Sequence, residues 1–208
     1  MSAVDQTVFV VDDDLAVREA ISSLLRSVGI SVVDLPSAQA FLDHERRDDA
    51  GCVVLDVRMP GMSGLELQHE LTRTGSAPPL VFITGHGDIP MAVRAIKGGA
   101  VEFLPKPFRE HDLLDAVTTA LRHDERTRVA RSAARAIRSR YDTLTERERE
   151  VLDPVVTGKL NKQVGAALGV SEQTVKVHRH NIMRKMGATS LPDLVRMIDI
   201  LRSDTAAG

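Results

Sequence analysis

The chain has 208 residues, 43% of them hydrophobic, which suits two small soluble domains with packed cores. No apolar run approaches about 18 residues, and the N-terminus lacks the basic region and cleavage pattern of a signal peptide. We therefore expect a cytoplasmic protein with no membrane partner. Residues 1–123 hold 11 Lys and Arg against 18 Asp and Glu, whereas residues 124–208 hold 16 against 11. An acidic half joined to a basic half suggests two domains with different partners, and a phosphate backbone suits the basic one.

The first half alternates short β-rich segments with helical segments, ending in a helix from about Glu110 to Leu121. The predicted strands are Val8–Val11, Ser31–Leu35, Cys52–Leu55, Leu80–Ile83 and Val101–Leu104. Strand followed by helix throughout predicts an α/β domain with a doubly wound, five-stranded parallel sheet. The single cysteine, Cys52, falls in an apolar run, so we expect it to pack in the core.

Residues 124–142 are rich in Arg and Ala and contain neither Pro nor Gly. Their apolar side chains recur at helical intervals, which predicts a helical linker between the two domains. Two forms of this linker stay open: a weak coiled coil, or a solvated helix that continues the last helix of the first domain.

Residues 143–208 predict an all-α domain of four helices. The run from Thr145 to Glu148 is typical of a capping box that begins the first helix. Three further amphipathic segments follow at about Asn161–Leu168, Glu172–Met186 and Leu191–Leu201. The second and third of these helices, with the turn at Gly169 between them, form the pattern of a helix-turn-helix motif.

Polar side chains follow four of the predicted strands. Ligands bind at the carboxyl ends of the strands in open parallel sheets, so these side chains are candidates for one site. They are Asp12, Asp13 and Asp14 after the first strand, Asp56 after the third, Thr84 after the fourth and Lys106 after the fifth. Clustered carboxylates need a neutralising cation, and their oxygens suit Mg²⁺. We infer a phosphoryl-transfer site in which Asp56 is the nucleophile, while Lys106 and Thr84 stabilise the developing charge.

The motifs VVDDD, LDVRMPGMSGLEL, ITGHGD and FLPKPF resemble the receiver (CheY-like) domain of two-component systems, over about residues 6–123. The resemblance implies the flavodoxin-like strand order 2-1-3-4-5 and Asp56 as the phospho-acceptor. It implies Mg²⁺, or Mn²⁺, held by Asp12, Asp13, Asp56 and the backbone carbonyl of Arg58. It also implies phosphoryl contacts from Thr84 and Lys106, a cis Lys106–Pro107 bond, and a conformational switch made of Thr84 and Phe103. His86 in the TGHGD loop is expected to be solvated and to lie outside the site.

The second helix of the helix-turn-helix motif is amphipathic, with Val175, Ile182 and Met186 on one side. Its opposite face carries groups that can reach base edges in the major groove. We assign Lys162, Arg179 and Lys185 to phosphate contacts. The candidate DNA-binding residues are Lys162, Gln173, Thr174, Lys176, Val177, Arg179, His180 and Arg184.

Residues 143 to about 202 resemble the LuxR-type (GerE-like) helix-turn-helix domain through LTEREREVL, NKQVGAALGVSEQTVKVHRHNIMRKM and SLPDLVRM. With a receiver in front, the whole chain resembles the FixJ and NarL group of response regulators. This implies a cognate sensor histidine kinase, a homodimer on phosphorylation, two-fold DNA half-sites and RNA polymerase as partners. Leu191–Leu201 is then a dimer contact on DNA, and Lys176, Val177 and His180 read bases. Two departures are Pro154 inside the first helix and Gly165 in place of the usual Ala.

We favour a phosphorylation-dependent transcriptional regulator, which is no enzyme beyond its own phosphoryl transfer and autodephosphorylation. An alternative is a haloacid-dehalogenase-like phosphatase, since Asp12 and Asp14 have the spacing of its nucleophile motif. That class needs a cap-sized insertion, which the sequence lacks. A second alternative is a DNA-binding regulator whose receiver acts without phosphorylation. The intact acidic cluster, Thr84 and Lys106 argue against it.

Overall fold

The computed structural model describes residues 6–45, 50–74, 77–85 and 89–206. The chain divides into two compact units, Met1–Arg128 and Val129–Gly208. The division falls inside the predicted linker, residues 124–142. Among the described helices, none is long and apolar enough to cross a bilayer.

The first unit is built on a five-stranded parallel sheet of order β2-β1-β3-β4-β5. The strands are β1 (Thr7–Val11), β2 (Ser31–Leu35), β3 (Ala50–Asp56), β4 (Leu80–Thr84) and β5 (Glu102–Pro105). The order and the parallel pairing confirm the predicted fold. Every residue of β1 and β4 is buried, which explains why these strands are continuous apolar runs without alternation.

Helices cover both faces of this sheet: α1 (Leu15–Ser27), α2 (Ala38–Leu42), α3 (Gly64–Arg73), α4 (Ile89–Lys97) and α5 (Glu110–Asp142). On one face, α2, α3 and α4 pack on Phe9, Leu55 and Phe82. On the other face, α1 and α5 pack on a second core that includes Cys52. Cys52 is fully buried, and burial raises the pKa of its thiol, so its predicted role in core packing is confirmed.

The first three helices begin at polar N-caps. The Asp14 carboxylate accepts hydrogen bonds from the backbone N–H groups of Ala16 and Val17 at the start of α1. Ser37 caps α2, and Ser63 forms a capping box with Glu66 at the start of α3. These caps satisfy N–H groups that have no partner inside the helix and so stabilise the start of each helix.

Helix α5 runs without a break for 33 residues, from Glu110 to Asp142. The predicted linker, residues 124–142, is therefore the C-terminal part of this helix. A weak coiled coil and a solvated extension of the last helix would both be continuous in this way, so the choice between them stays a prediction.

The second unit contains α6 (Glu146–Val156), α7 (Asn161–Leu168), α8 (Glu172–Met186) and α9 (Leu191–Ala206). Their core includes Leu152, Val164, Val175, Ile182 and Met186, each at most 1% exposed. The all-α, four-helix prediction is thus confirmed.

Two local features of this unit involve Pro154 and Gly165. Helix α6 begins with the capping box of Thr145 and Glu148 and continues through Pro154 to Val156. At Gly165, a Cβ atom would lie 2.7 Å from the carbonyl oxygen of Val170. The chain at Gly165 therefore approaches the turn before α8 more closely than any side chain allows.

Candidate functional site

The carboxyl ends of four strands meet at one edge of the sheet. Asp12 directly follows β1, Asp56 ends β3, Thr84 ends β4, and Lys106 directly follows β5. The register pairs Asp56 with Ile83 and Thr84 with Pro105, so the strand ends are level with one another. Asp12, Asp56 and Thr84 are 1%, 5% and 1% exposed, which makes them polar groups in an almost dry environment.

Lys106 joins the two buried carboxylates. Its ammonium Nζ donates a hydrogen bond of 2.6 Å to Asp12 Oδ2 and one of 2.9 Å to Asp56 Oδ1. The Lys106–Pro107 peptide bond is cis, as expected. Asp12 and Asp56 lie 94 and 50 residues before Lys106 in the sequence, yet both are within hydrogen-bond distance of its ammonium.

Burial and charge act against each other at this cluster. Burial raises the pKa of Asp56, and Asp12 adds to the rise, while Lys106 and the N–H of Arg58 partly offset it. Burial alone would lower the pKa of Lys106, but hydrogen bonds and charge from Asp12 and Asp56 outweigh it, and the net pKa is raised. Lys106 therefore stays charged, and it favours the ionised form of the carboxylate that a phosphoryl acceptor needs.

The loop after β3 is packed closely onto Asp56. The backbone N–H of Arg58 donates a 2.7 Å hydrogen bond to Asp56 Oδ2, and the N–H of Gly64 donates a 3.0 Å bond to the carbonyl of Val57. A Cβ atom at Gly64 would collide with the carbonyl oxygen of Asp56. Both carboxylate oxygens of Asp56 thus have donors, which holds the side chain in one orientation.

The other predicted receiver residues lie around this cluster. Asp13 is exposed next to Asp12, and Phe103 is half-buried on β5, packed against the core beneath α2, α3 and α4. The carbonyl oxygen of Thr84 accepts a 2.7 Å hydrogen bond from the N–H of Lys106. His86 lies outside the described residues.

The carboxylate oxygens of this cluster fit a hard divalent cation, provided that the Lys106 ammonium moves. Asp12 and Asp56 present buried carboxylate oxygens and Asp13 an exposed one, the ligand type that suits Mg²⁺. Within the described part of the chain, no three acidic, His or Cys side chains are already grouped as metal ligands. Lys106 holds the position between Asp12 and Asp56, so a cation would compete with its ammonium. The proposed ligand set stays a prediction.

The outer face of α8 is exposed as predicted. Val175, Ile182 and Met186 are fully buried, whereas Val177 is 51% exposed. All polar members of the predicted DNA-binding set except Arg179 are also exposed, and these are Lys162 on α7 and Gln173, Thr174, Lys176, His180 and Arg184 on α8. An exposed strip of amide, hydroxyl, ammonium and imidazole groups suits contact with base edges.

Two basic side chains of α8 are turned inward. Arg179 is half-buried, and its Nη1 donates a 3.0 Å hydrogen bond to Asn161 Oδ1 on α7. Lys185 Nζ bonds to Glu148 Oε2 at 2.6 Å and to the carbonyl of Thr143 at 3.2 Å. Lys185 thus has a carboxylate partner that is only 3% exposed, and its assignment to a phosphate contact stays a prediction.

Comparison with known protein families agrees with this two-unit organisation. Residues 8–118 match the model of the response regulator receiver domain, and residues 142–198 match that of the bacterial regulatory proteins of the LuxR family. The chain belongs to the response regulator family. Members of this family are transcriptional regulators rather than enzymes; the receiver domain implies a sensor kinase as partner, and the LuxR-type domain implies DNA binding. Receiver domains in general bind Mg²⁺ for their phosphorylation.

Relatives of this response regulator match it over nearly its whole length. It is 50% identical to the response regulator protein TodT of Pseudomonas putida, over 97% of this chain and 89% of TodT. It is 51% identical to nodulation protein W of Bradyrhizobium diazoefficiens, over 93% of this chain and 86% of that protein. It is 45% identical to FixJ of Rhizobium meliloti, over 93% of this chain and 95% of FixJ.

Two solved structures resemble the response regulator along both units. The response regulator StyR is 51% identical, and its alignment covers 94% of this chain and 98% of StyR with a TM-score of 0.83. Full-length FixJ from B. japonicum is 39% identical, and its alignment covers 97% of this chain and 99% of FixJ with a TM-score of 0.57.

Two residues of the response regulator were missed by reasoning from the sequence. Gly64 allows the close approach to Asp56, and a Gly at the first position of a capped helix was the available signal. Arg18 on α1 donates from Nη1 to the carbonyl oxygen of Asp12 at 2.7 Å. Its signal was a charged residue on the same helical face as Ile21 and Leu25.

Proposed function

We propose that this response regulator accepts a phosphoryl group on Asp56 from a sensor histidine kinase and then binds DNA as a dimer to control transcription. The observation that carries the proposal is the Lys106 ammonium between the buried carboxylates of Asp12 and Asp56. Such a buried cluster is poised for transfer of a negatively charged group, since it already contains the cation that neutralises the acceptor.

The proposed transfer is an in-line displacement. An oxygen of Asp56 forms a bond to phosphorus, the nitrogen–phosphorus bond of a kinase phosphohistidine breaks, and the imidazole leaves with the electron pair. Mg²⁺ held by Asp12, Asp13, Asp56 and the carbonyl of Arg58 would supply charge neutralisation at the phosphoryl oxygens. After transfer, Lys106 follows the negative charge to the phosphoryl group, while the N–H of Arg58 keeps its acceptor on Asp56.

The Thr84 hydroxyl and the Phe103 ring form the proposed switch. Thr84 is almost fully buried at the end of β4, within the same edge of the sheet as Asp56. When its hydroxyl bonds to the phosphoryl group, Phe103 moves into the space beside it, and the face of α4, β5 and α5 changes. We infer that this face then pairs with its copy in a second chain.

DNA recognition is assigned to α8. Its exposed side chains at Gln173, Thr174, Lys176, Val177, His180 and Arg184 enter the major groove, with Lys176, Val177 and His180 reading bases. Lys162 binds the backbone, and Arg179 contacts a phosphate with donors not used by Asn161. Two such domains, joined through α9, would span two-fold half-sites and present a surface to RNA polymerase.

Replacement of Asp56 tests the proposed acceptor. The chain is incubated with radiolabelled acetyl phosphate and Mg²⁺, and we expect stoichiometric label on wild type and at least tenfold less on Asp56→Asn. The matched control is Asp43→Asn, which removes an exposed carboxylate of the same unit and should leave labelling unchanged. Persistent stoichiometric labelling of Asp56→Asn would remove Asp56 from the proposed role.

Dependence of DNA binding on phosphorylation needs a second measurement. A DNA fragment selected by the protein from a random library is titrated with and without the phosphate mimic beryllofluoride, at fixed salt. We expect at least tenfold tighter binding, and dimers in sedimentation, with the mimic. Equal affinity in both conditions would favour a receiver that acts without phosphorylation.

A further inference from the structure

We propose that Arg18 is a positioning residue for the phosphoryl site: its buried guanidinium holds the backbone of Asp12 and thereby sets how Asp12 and Asp13 face Asp56. The inference rests on the proposed function, because it concerns the cation that assists transfer to Asp56. It adds a group from α1 to a site that is otherwise built from strand ends.

The position of Arg18 is unusual for its chemistry. It lies on the inner face of α1 together with Ile21, Ser22 and Leu25, and it is only 9% exposed. Arginine is almost never so deeply buried unless its guanidinium has a partner. Here the partner is the carbonyl oxygen of Asp12, at 2.7 Å from Nη1.

This hydrogen bond completes the anchoring of Asp12. The N–H of Asp12 donates to the carbonyl of Leu35 at 3.2 Å, and Asp12 Oδ1 accepts from the N–H of Asp14 at 2.9 Å. Asp12 Oδ2 accepts from Lys106 at 2.6 Å, so the carbonyl oxygen is the one remaining polar atom of the residue. Without Arg18, that carbonyl would lose its donor, and the peptide between Asp12 and Asp13 would be held less firmly.

The electrostatic setting also favours a functional role over a purely structural one. Within the described residues, the Arg18 side chain makes no ion pair, and its Nε is buried without a hydrogen-bond partner. A buried cation with an unsatisfied donor is costly for stability. The Arg18 guanidinium is bonded to the first of three consecutive aspartates, Asp12 to Asp14. Its positive charge and its hold on the Asp12 peptide would therefore both affect how these carboxylates bind a cation.

Loss of the Arg18 hydrogen bond and loss of its charge have opposite effects on metal binding. A misplaced Asp12–Asp13 peptide weakens binding, and groups that orient metal ligands typically change affinity by about 10- to 100-fold. Removal of a nearby positive charge alone would tighten binding of a divalent cation. The direction of the change therefore distinguishes positioning from simple electrostatics.

The test measures Mn²⁺ binding to the full chain from the electron paramagnetic resonance signal of free Mn²⁺, without any phosphodonor. We expect Arg18→Met to bind Mn²⁺ about tenfold more weakly than wild type. Arg18→Lys, which keeps a charge and a donor, should recover most of the affinity. The matched control is Arg26→Met on the same helix, because Arg26 is exposed and pairs with Asp34 at the surface, and it should bind as wild type does.

Circular dichroism establishes that each variant is folded. If Arg18→Met does not fold, Arg18→Gln replaces it, since its amide is polar but too short to reach the Asp12 carbonyl; the same tenfold loss is expected. Unchanged or tighter Mn²⁺ binding by the folded variant overturns the proposal, and so does an equal loss in Arg26→Met.

A second readout separates this inference from the proposed function. The rate of Asp56 labelling by acetyl phosphate is measured against Mn²⁺ concentration. For Arg18→Met we expect the half-saturating Mn²⁺ concentration to rise about tenfold, with the maximal rate changed less than threefold. An unshifted half-saturation point overturns the role of Arg18 while leaving Asp56 as acceptor. Wild-type protein without label on Asp56 would instead overturn the proposed function.

Discussion

Asp12, Asp56 and Thr84 are between 1% and 5% exposed and meet at a sheet edge around one ammonium, whereas Val177 on α8 is 51% exposed among exposed polar neighbours. In the first region, every carboxylate oxygen of Asp12 and Asp56 has a donor inside the protein. In the second, the candidate groups point outward from a single helix. The first site is assembled from the ends of four strands, so all four must be in place before it can react. The second is one face of α8, so it requires only that this helix is folded.

The largest expected effect concerns the ammonium that joins the carboxylates. We expect Lys106→Met to lower the rate of labelling by acetyl phosphate about 100-fold, because it removes a fixed positive charge from the reacting centre. Radiolabel incorporation at saturating Mg²⁺ measures the rate. Lys97→Met, which removes an exposed lysine of α4, is the matched control. A rate within threefold of wild type would show that phosphoryl transfer does not need the Lys106 ammonium between Asp12 and Asp56.

Support behind the exposed face of α8 comes from the ion pair between Lys185 and Glu148. We expect Glu148→Gln to lower the free energy of unfolding by about 2 kcal/mol at pH 7, since it leaves Lys185 without its partner while the Glu148 side chain is only 4% exposed. Chemical denaturation followed by circular dichroism measures the loss. Glu150→Gln, from the exposed pair with Arg147, should cost less than about 0.5 kcal/mol.

The same pair predicts a pH dependence. Burial tends to raise the pKa of Glu148, but Lys185 and Thr145 outweigh it and hold the pKa below its ordinary value of 4.5. The pair therefore stabilises the folded state fully above that pH, and its contribution is lost as pH falls through the lower, folded-state pKa. The stability difference between wild type and Glu148→Gln should shrink below about pH 4.5. A constant difference down to pH 2 would contradict the assignment.

A smaller effect is expected from one exposed side chain of α8. Lys176→Ala should weaken binding to the selected DNA fragment about tenfold, with less change on unrelated DNA, because a base contact contributes about 1–3 kcal/mol of discrimination. Fluorescence anisotropy at fixed salt measures both affinities. Lys162→Ala offers the contrast, since a phosphate contact should weaken binding to all sequences alike. Equal losses on both DNAs for Lys176→Ala would place it on the backbone instead.

The sequence by itself determined those features that follow from the periodicity of strands and helices. Alternation of strands and helices determined the parallel sheet, and the positions of Asp12, Asp56, Thr84 and Lys106 after strands determined which edge they share. The spacing of Val175, Ile182 and Met186 likewise determined which face of α8 is buried, because every residue of a helix turns by about 100°.

Only the tertiary structure decided which groups are partners. The distances between hydrogen-bonded side chains depend on how separate elements pack. This holds for Lys106 with Asp12 and Asp56, for Lys185 with Glu148, and for Arg18 with the carbonyl of Asp12. Periodicity predicts the side of an element that faces inward, but a hydrogen bond needs a donor and an acceptor to meet within a few tenths of an ångström. That precision comes from packing, which explains why the partners of Lys185 and Arg18 cannot be read from the sequence.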